Sequence, residues 1–317
     1  MNKEYNYDDI YLIPQKCNVD SRSECDISVQ LGKHTFANPV IAANMKSVVN
    51  VKTCMYLASK NMFYIMHRFD TDMFGQTALV ELMRDNNLVA SISIGVKEED
   101  YETIHHLNKE NAIPDYITID VAHGHCKAVY NMIQHIKSVL PDTFVIAGNI
   151  ATAEAVEYLQ EAGVDALKYG IGPGRACTSK LKTGFTRSTV TGLQECTAVS
   201  DIPIIADGGI RHCGDIAKAM ACGATMVMVG SFLSGYDQNS GDIITVNGHK
   251  KYVYYGSASF NNKQSNKHVE GTEVLLDYKG NMDNHIYDIE CSLKSSVSYA
   301  GVKKIEDMNR TPFAVFN

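Results

Sequence analysis

Eight short, β-rich apolar runs, separated by segments of helical periodicity, predict an α/β chain of the (β/α)8 TIM-barrel class with an eight-stranded parallel core. The runs lack polar alternation, as strands covered on both faces do. Length agrees: one such barrel commonly uses about 250 residues, so positions 1–317 read as a single catalytic domain. The expected strands are 39–45, 63–68, 89–96, 116–122, 144–150, 166–171, 203–207 and 226–231. Good helix formers with helical spacing fill 51–60, 73–84, 98–108, 127–140, 153–162 and 216–222. An open doubly wound sheet stays as the structural alternative, because periodicity carries no information on closure.

Composition narrows the function classes. Hydrophobic residues are 45% and charged residues 21% of the chain, ordinary values for a soluble enzyme. A formal net charge of −7 gives no basic footprint, so nucleic acid is not an expected partner. The longest apolar runs are strand-sized, below the ~20 residues of a membrane helix, and the first residues open no apolar signal segment. Nine cysteines without a pairing pattern fit a reducing compartment better than a disulfide framework. A cytoplasmic protein, with no membrane contact, is expected.

In a barrel the active site lies at the C-terminal ends of the strands. Those ends read Asn44-Met45-Lys46, His67-Arg68, Asp120 to His125, Gly148-Asn149, Gly170 to Cys177, Asp207-Gly208-Gly209 and Gly230-Ser231. Polar and glycine residues stand at nearly every one. The most informative is Lys168 to Ser179, where a strand ends in a Gly-Pro-Gly turn that presents Cys177 beside two hydroxyls. Gly172 and Gly174 leave room for something to approach the main chain, and a cysteine on such a turn can meet a substrate. Asp207-Gly208-Gly209 and Gly230-Ser231 hold the place where barrels often bind phosphate. Their N–H groups can point at an anion and Ser231 adds a hydroxyl, while Asp207 would repel phosphate and suits a ribose hydroxyl pair. Ordinary strand-to-helix turns also favour Asp and Gly, and that alternative stands.

Gly-Ile-Gly-Pro-Gly-x-x-Cys-Thr, Ala-Asp-Gly-Gly-Ile-Arg, Val-Gly-Ser, Tyr-Tyr-Gly-Ser-Ala-Ser, Ile-Ala-Ala-Asn-Met and Thr-Ile-Asp-Val-Ala-His-Gly-His occur here in the order of one family. From about Tyr7 to Lys304 the chain resembles the IMP dehydrogenase/GMP reductase family. Dehydrogenases of that family usually carry a CBS pair after the second strand, where only about twenty residues separate Arg68 from Val89 here. They also carry a long flap with a water-activating Arg-Tyr pair, where only ten residues separate Ser259 from Glu270. The resemblance is therefore to the reductase branch. Phe-Tyr-Ile-Met-His-Arg-Phe-Asp, Ser-Arg-Ser-Glu-Cys-Asp and Phe-Val-Ile-Ala-Gly-Asn are similar to its Gram-positive bacterial form.

The resemblance implies that GMP and NADPH give IMP, ammonia and NADP through a thioimidate on Cys177. A Thr–Glu pair protonates the ammonia in this family. The Glu carries over to Glu270, and the Thr position is occupied by Ser179, with Thr178 one residue too early. It further implies substrate contacts from Arg175, Tyr255, Gly256 and Ser257, and cofactor contacts from Asp120, Ala122, His123, Asn149, His67 and Arg68. Carbonyl groups of Gly172, Gly174 and Cys177 match a monovalent-cation site, potassium, and homotetramers are the family's assembly. Residues 183–192 are shorter and richer in Thr and Ser than the glycine-rich segment of relatives. A dehydrogenase without the CBS pair and a weakened purine-nucleotide-binding homologue are the competing readings. An unrelated barrel aldolase with a Schiff-base lysine is another, with Lys46 and Lys168 its candidates.

Overall fold

A computed structural model describes residues 3–263 and 269–316. Seven strands, β1 Val40–Ala42, β2 Ser91–Ile94, β3 Tyr116–Asp120, β4 Phe144–Ile150, β5 Ala166–Tyr169, β6 Ile204–Asp207 and β7 Met226–Val229, form one curled parallel sheet. Its order is β1-β7-β6-β5-β4-β3-β2, with every pairing parallel. Nearly every residue of these strands is buried, the expected result for a sheet covered on both faces.

Among the described residues the sheet has seven strands, not the eight the sequence predicts. The missing one, 63–68, makes a single parallel bridge, Tyr64 to Ala42 of β1. On its other side the Met66 N–H donates to the Ser91 carbonyl of β2 at 3.2 Å. One bridge on one side and one hydrogen bond on the other are too few for a strand ladder. The segment nevertheless touches both edge strands of the sheet.

Helices fill the intervals: α1 Val51–Ser59, α2 Met73–Asp85, α3 Glu98–Lys109, α4 Lys127–Val139, α5 Ala153–Glu161, α6 Ser179–Thr183, α7 Thr191–Val199 and α8 Cys213–Ala221. In α4 the buried residues are Val129, Met132, Ile133 and Ile136, a stripe at helical spacing. Side-chain caps start several of them: Asn50 accepts from the Thr53 N–H and Asp72 from the Gly75 N–H. α2 occupies the short interval between Arg68 and β2.

The N-terminal ends of the strands are sealed by aromatic packing. A hairpin of Val29–Leu31 and His34–Phe36 brings Phe36 against Phe63 (4.9 Å between ring centroids), and Phe63 meets Tyr116 at 4.7 Å. The Tyr116 hydroxyl donates to the Leu31 carbonyl at 2.6 Å. Ligand access is thereby left to the opposite, C-terminal end. There an antiparallel sheet of Ile243–Val246, His249–Tyr255 and Glu273–Asp277 follows β7. That sheet and the C-terminal helix Asp283–Tyr299 lie outside the eight-fold repeat legible in the sequence.

Candidate active site

At the C-terminal ends of the strands lies a cavity of about 290 Å³ whose lining includes Cys177, Ser179, Glu270, Asp207 and Asn149. The turn that presents Cys177 needs glycine at its start. Gly170 has φ of +139°, and a Cβ there would collide with the Asp207 carbonyl oxygen. The two loops that meet at this point therefore share one narrow crossing.

Cys177, Ser179 and Glu270 form a continuous hydrogen-bond chain. The Cys177 thiol donates to Ser179 Oγ at 3.3 Å, and the Ser179 hydroxyl donates to Glu270 Oε2 at 2.6 Å. Ninety-one positions separate Ser179 from Glu270, and short strand-like contacts bring them together. The Thr178 N–H donates to the Glu270 carbonyl at 2.8 Å, and the Thr272 N–H donates to the Ala176 carbonyl at 2.9 Å. Thr178 takes no part through its side chain: its Oγ1 is buried without a partner. Of the two hydroxyls beside the cysteine, the geometry brings only Ser179 to the carboxylate.

The floor of the cavity is a charge cluster from four successive strands. Lys168 of β5, 2% exposed, donates to Asp207 Oδ2 of β6 at 2.7 Å, to Asn149 Oδ1 of β4, and lies 3.3 Å from Asp120 Oδ1 of β3. Burial pushes the Lys168 pKa down, but the charges of Asp207 and Asp120 outweigh it and hold it above the usual lysine value. A lysine so fixed in its charged form has no lone pair for a Schiff base. The β4–β5 register slips between Gly148 and Ile150, a bulge that re-aims Asn149. Its Nδ2 donates to the Gly170 carbonyl at 2.6 Å and to Asp207 Oδ2 at 2.9 Å.

Other expected residues divide between this cavity and its surroundings. Arg68, Ala122, Gly172, Gly174, Gly208, Gly256 and Ser257 line it. Arg68 lies over the Phe69 ring and donates through Nε to the Asp120 carbonyl at 3.2 Å. His67 faces elsewhere. It is buried in the wall of a neighbouring cavity of about 440 Å³, with Lys46, Asp70 and Gln76. That cavity is larger, yet it holds no cysteine and no carboxylate–hydroxyl relay, so the Cys177 cavity is the candidate active site. His123 is exposed and lines neither cavity.

The phosphate-side expectation needs one correction. Tyr254, not Tyr255, lines the cavity. Successive side chains of a strand point to opposite faces, and Tyr255 lies on the other one, under the influence of Lys46 and Asp70. The Tyr254 hydroxyl sits against Gly230 and donates to Met45 Sδ at 3.9 Å. Gly230, Ser231, Gly209 and the exposed Arg175 do not line the cavity. The Arg175 charge nonetheless reaches Tyr254, and it also acts on Lys279.

Sequence reasoning missed Lys168 as a floor residue, although a lysine inside an otherwise apolar run signals a paired buried charge. Asn44, placed at the rim by the sequence without a role, lines the cavity with its Nδ2 buried and unpartnered. No group of three His, Cys, Asp or Glu suited to a metal occurs among the described residues. Nor is any described helix long and apolar enough to cross a membrane.

The parallel α/β sheet thus carries at its C-terminal rim a cysteine, a hydroxyl–carboxylate pair and glycine turns, the groups that covalent catalysis uses. The chain belongs to the family described by the IMP dehydrogenase / GMP reductase domain, which matches residues 4–316. Among curated relatives, the GMP reductase of Bacillus anthracis is 47% identical over 99% of this chain and 96% of its own length. The GMP reductase of Shouchella clausii matches to the same extent, and that of Oceanobacillus iheyensis is 48% identical over the same shares.

Proposed function

We propose that this protein is a GMP reductase, converting GMP and NADPH to IMP, ammonia and NADP through a covalent intermediate on Cys177. The single observation that carries the reading is the Cys177–Ser179–Glu270 chain, with its 3.3 and 2.6 Å steps, at the strand-end cavity of a family member. The thiol proton passes toward Glu270 through Ser179. The thiolate adds to C2 of the purine, the C2–N bond breaks, and the same relay returns a proton to the departing ammonia. A thioimidate remains. NADPH, when bound, supplies the hydride that reduces C2, after which the C–S bond breaks to release IMP and restore Cys177.

This chain's residues fit both ligands. Asn44 offers an unpartnered donor to the cavity. Asp207 faces the nucleotide ribose, while Gly208, Gly209, Gly230, Ser231 and Gly256, with Tyr254, Ser257 and Arg175, serve the phosphate. Asp120, Ala122, Asn149 and Arg68 stand on the cofactor side; His123 and His67, which line no part of this cavity, belong to the cofactor's outer reach. The carbonyls of Gly172, Gly174 and Cys177 would hold potassium. The Gly174 carbonyl already accepts the Cys177 N–H at 3.0 Å, which leaves it one lone pair for a hard cation. Residues 1–317 act as one catalytic domain. Within it, 63–68 closes the sheet as the eighth strand, and four copies assemble in the cytoplasm.

The test is loss of NADPH absorbance and release of ammonia with GMP, run beside IMP plus NAD. Stoichiometric NADPH loss and ammonia, reduced about 10⁴-fold or more in Cys177→Ala, is the expected result. Turnover with IMP and NAD alone would replace the reading by a dehydrogenase, and GMP binding without turnover by a binding homologue.

A further inference from the structure

Lys168 is a single buried ammonium shared by two carboxylates, from β3 and β6, that both line the cavity. Its three donors meet Asp207 at 2.7 Å, Asp120 at 3.3 Å and Asn149. All four residues line the cavity, while Lys168 itself is 2% exposed. The surrounding backbone is built around it: a Cβ on Gly148 would meet the Lys168 Cβ at 2.6 Å and its carbonyl oxygen at 2.8 Å. Gly148 stands beside Asp120 in the β3–β4 register and beside Lys168 in the β4–β5 register, so all three fall in one row. Asn149 closes the circuit by donating to Asp207 at 2.9 Å. The carbonyl oxygen of Asp120 also accepts from Arg68 Nε. The groups bond to one another directly, so a displacement of either carboxylate changes the hydrogen bond of the other.

We propose that Lys168 is a positioning residue that ties the nucleotide-facing carboxylate Asp207 to the cofactor-facing carboxylate Asp120, and so couples the binding of one ligand to the other. This rests on the GMP reductase reading above. Occupation of Asp207 by ribose hydroxyls fixes the ammonium, and the ammonium fixes Asp120 before the cofactor arrives. Coupling of this kind is reciprocal: each ligand tightens the other by the same factor.

IMP and NADPH form a pair that cannot react, so their affinities can be measured together by titration calorimetry on the intact protein. Wild type is expected to bind IMP about fivefold or more tightly when NADPH is saturating, and NADPH by the same factor with IMP. In Lys168→Gln the factor falls to between one and two, although each ligand still binds alone with reduced affinity. Loss of the cation leaves two carboxylates facing one another, so Lys168→Gln can fail to fold. The double variant Lys168→Gln/Asp120→Asn removes that repulsion and is expected to fold while remaining uncoupled. Lys168→Arg, which keeps the charge, retains part of the coupling.

Wild-type coupling in either glutamine variant, or no coupling in wild type, would overturn the proposal while leaving the reductase activity standing. Absence of IMP binding together with absence of GMP-dependent NADPH oxidation would remove the functional reading itself.

Discussion

At the floor of the cavity, Lys168, Asp207, Asn149 and Asp120 bond to one another. In and just after the short helix that begins at Ser179, by contrast, Leu181 and Phe185 stand 78% and 76% exposed. The two regions thus differ in what holds them. A buried charge must find its partners within the fold, because an unpaired one is too costly to keep. An exposed apolar side chain on a loop is under no such demand. The 183–192 segment is tied to the fold along its length: the Thr186 hydroxyl donates to the Ile171 carbonyl at 2.8 Å, and Arg187 Nε lies 2.8 Å from Glu4 Oε1. Beyond them the Tyr169 hydroxyl donates to the Ser188 carbonyl at 2.6 Å, and the Tyr7 N–H to Thr189 Oγ1 at 3.1 Å.

The largest expected effect tests whether the relay belongs with the preorganised floor. Ser179→Ala and Glu270→Gln should each lower kcat by about 10²-fold or more, with ammonia release and NADPH oxidation falling together. Ser179→Thr keeps the hydroxyl and restricts its rotamers, so it should stay within about tenfold of wild type. Wild-type turnover in Ser179→Ala would put the relay elsewhere, with the unpartnered Thr178 hydroxyl the nearest substitute.

A smaller effect probes the exposed pair. Leu181→Ser and Phe185→Ser should leave thermal stability within about 0.5 kcal/mol of wild type, as exposed positions do. Their effect is expected on KM for GMP rather than on kcat. A marked fall in melting temperature for either variant would mean that these side chains are covered in solution, and the contrast with the floor would narrow.

The smallest effect extends the comparison to pH. Whereas the floor's charges are paired, His67, His135 and His285 are held below the usual histidine pKa of 6.5, in each case first by burial. Their folded pKa values lie below the unfolded one, so the unfolded state takes up more protons as pH falls. Stability is then complete above about pH 6.5 and declines below it. Melting temperature followed from about pH 7.5 to 5 should show this loss, with a shallower slope in His285→Phe. An unchanged slope in that variant would place the acid sensitivity outside this histidine.

Local pattern alone was enough for most of the scaffold. Buried parallel strands are short unbroken apolar runs, and 144–150 is a strand to the residue. The segment 63–68 makes only one bridge and one hydrogen bond to its neighbours, because an apolar run describes burial while a ladder depends on hydrogen bonds set by the sheet's curvature. Cys177 was legible because a Gly-Pro-Gly turn constrains its own backbone, and Ser179 and Glu270 because a family motif fixes their places. That Tyr254 rather than Tyr255 lines the cavity was not legible, since which of two adjacent strand residues faces a cavity depends on how the strand is docked.

By itself the sequence determined the repeat of strands and helices, and the polar and glycine residues, Cys177 among them, at the strand ends. These follow from backbone propensity and burial, which act over a few residues. Only the tertiary structure decided the contact itself, in which the Ser179 hydroxyl reaches Glu270 across ninety-one positions while the Thr178 hydroxyl is left without a partner. It alone decided, too, that Lys168 joins two carboxylates from separate strands. Both depend on distances between elements far apart in the chain, and those distances exist only once the sheet has curled and its register is set.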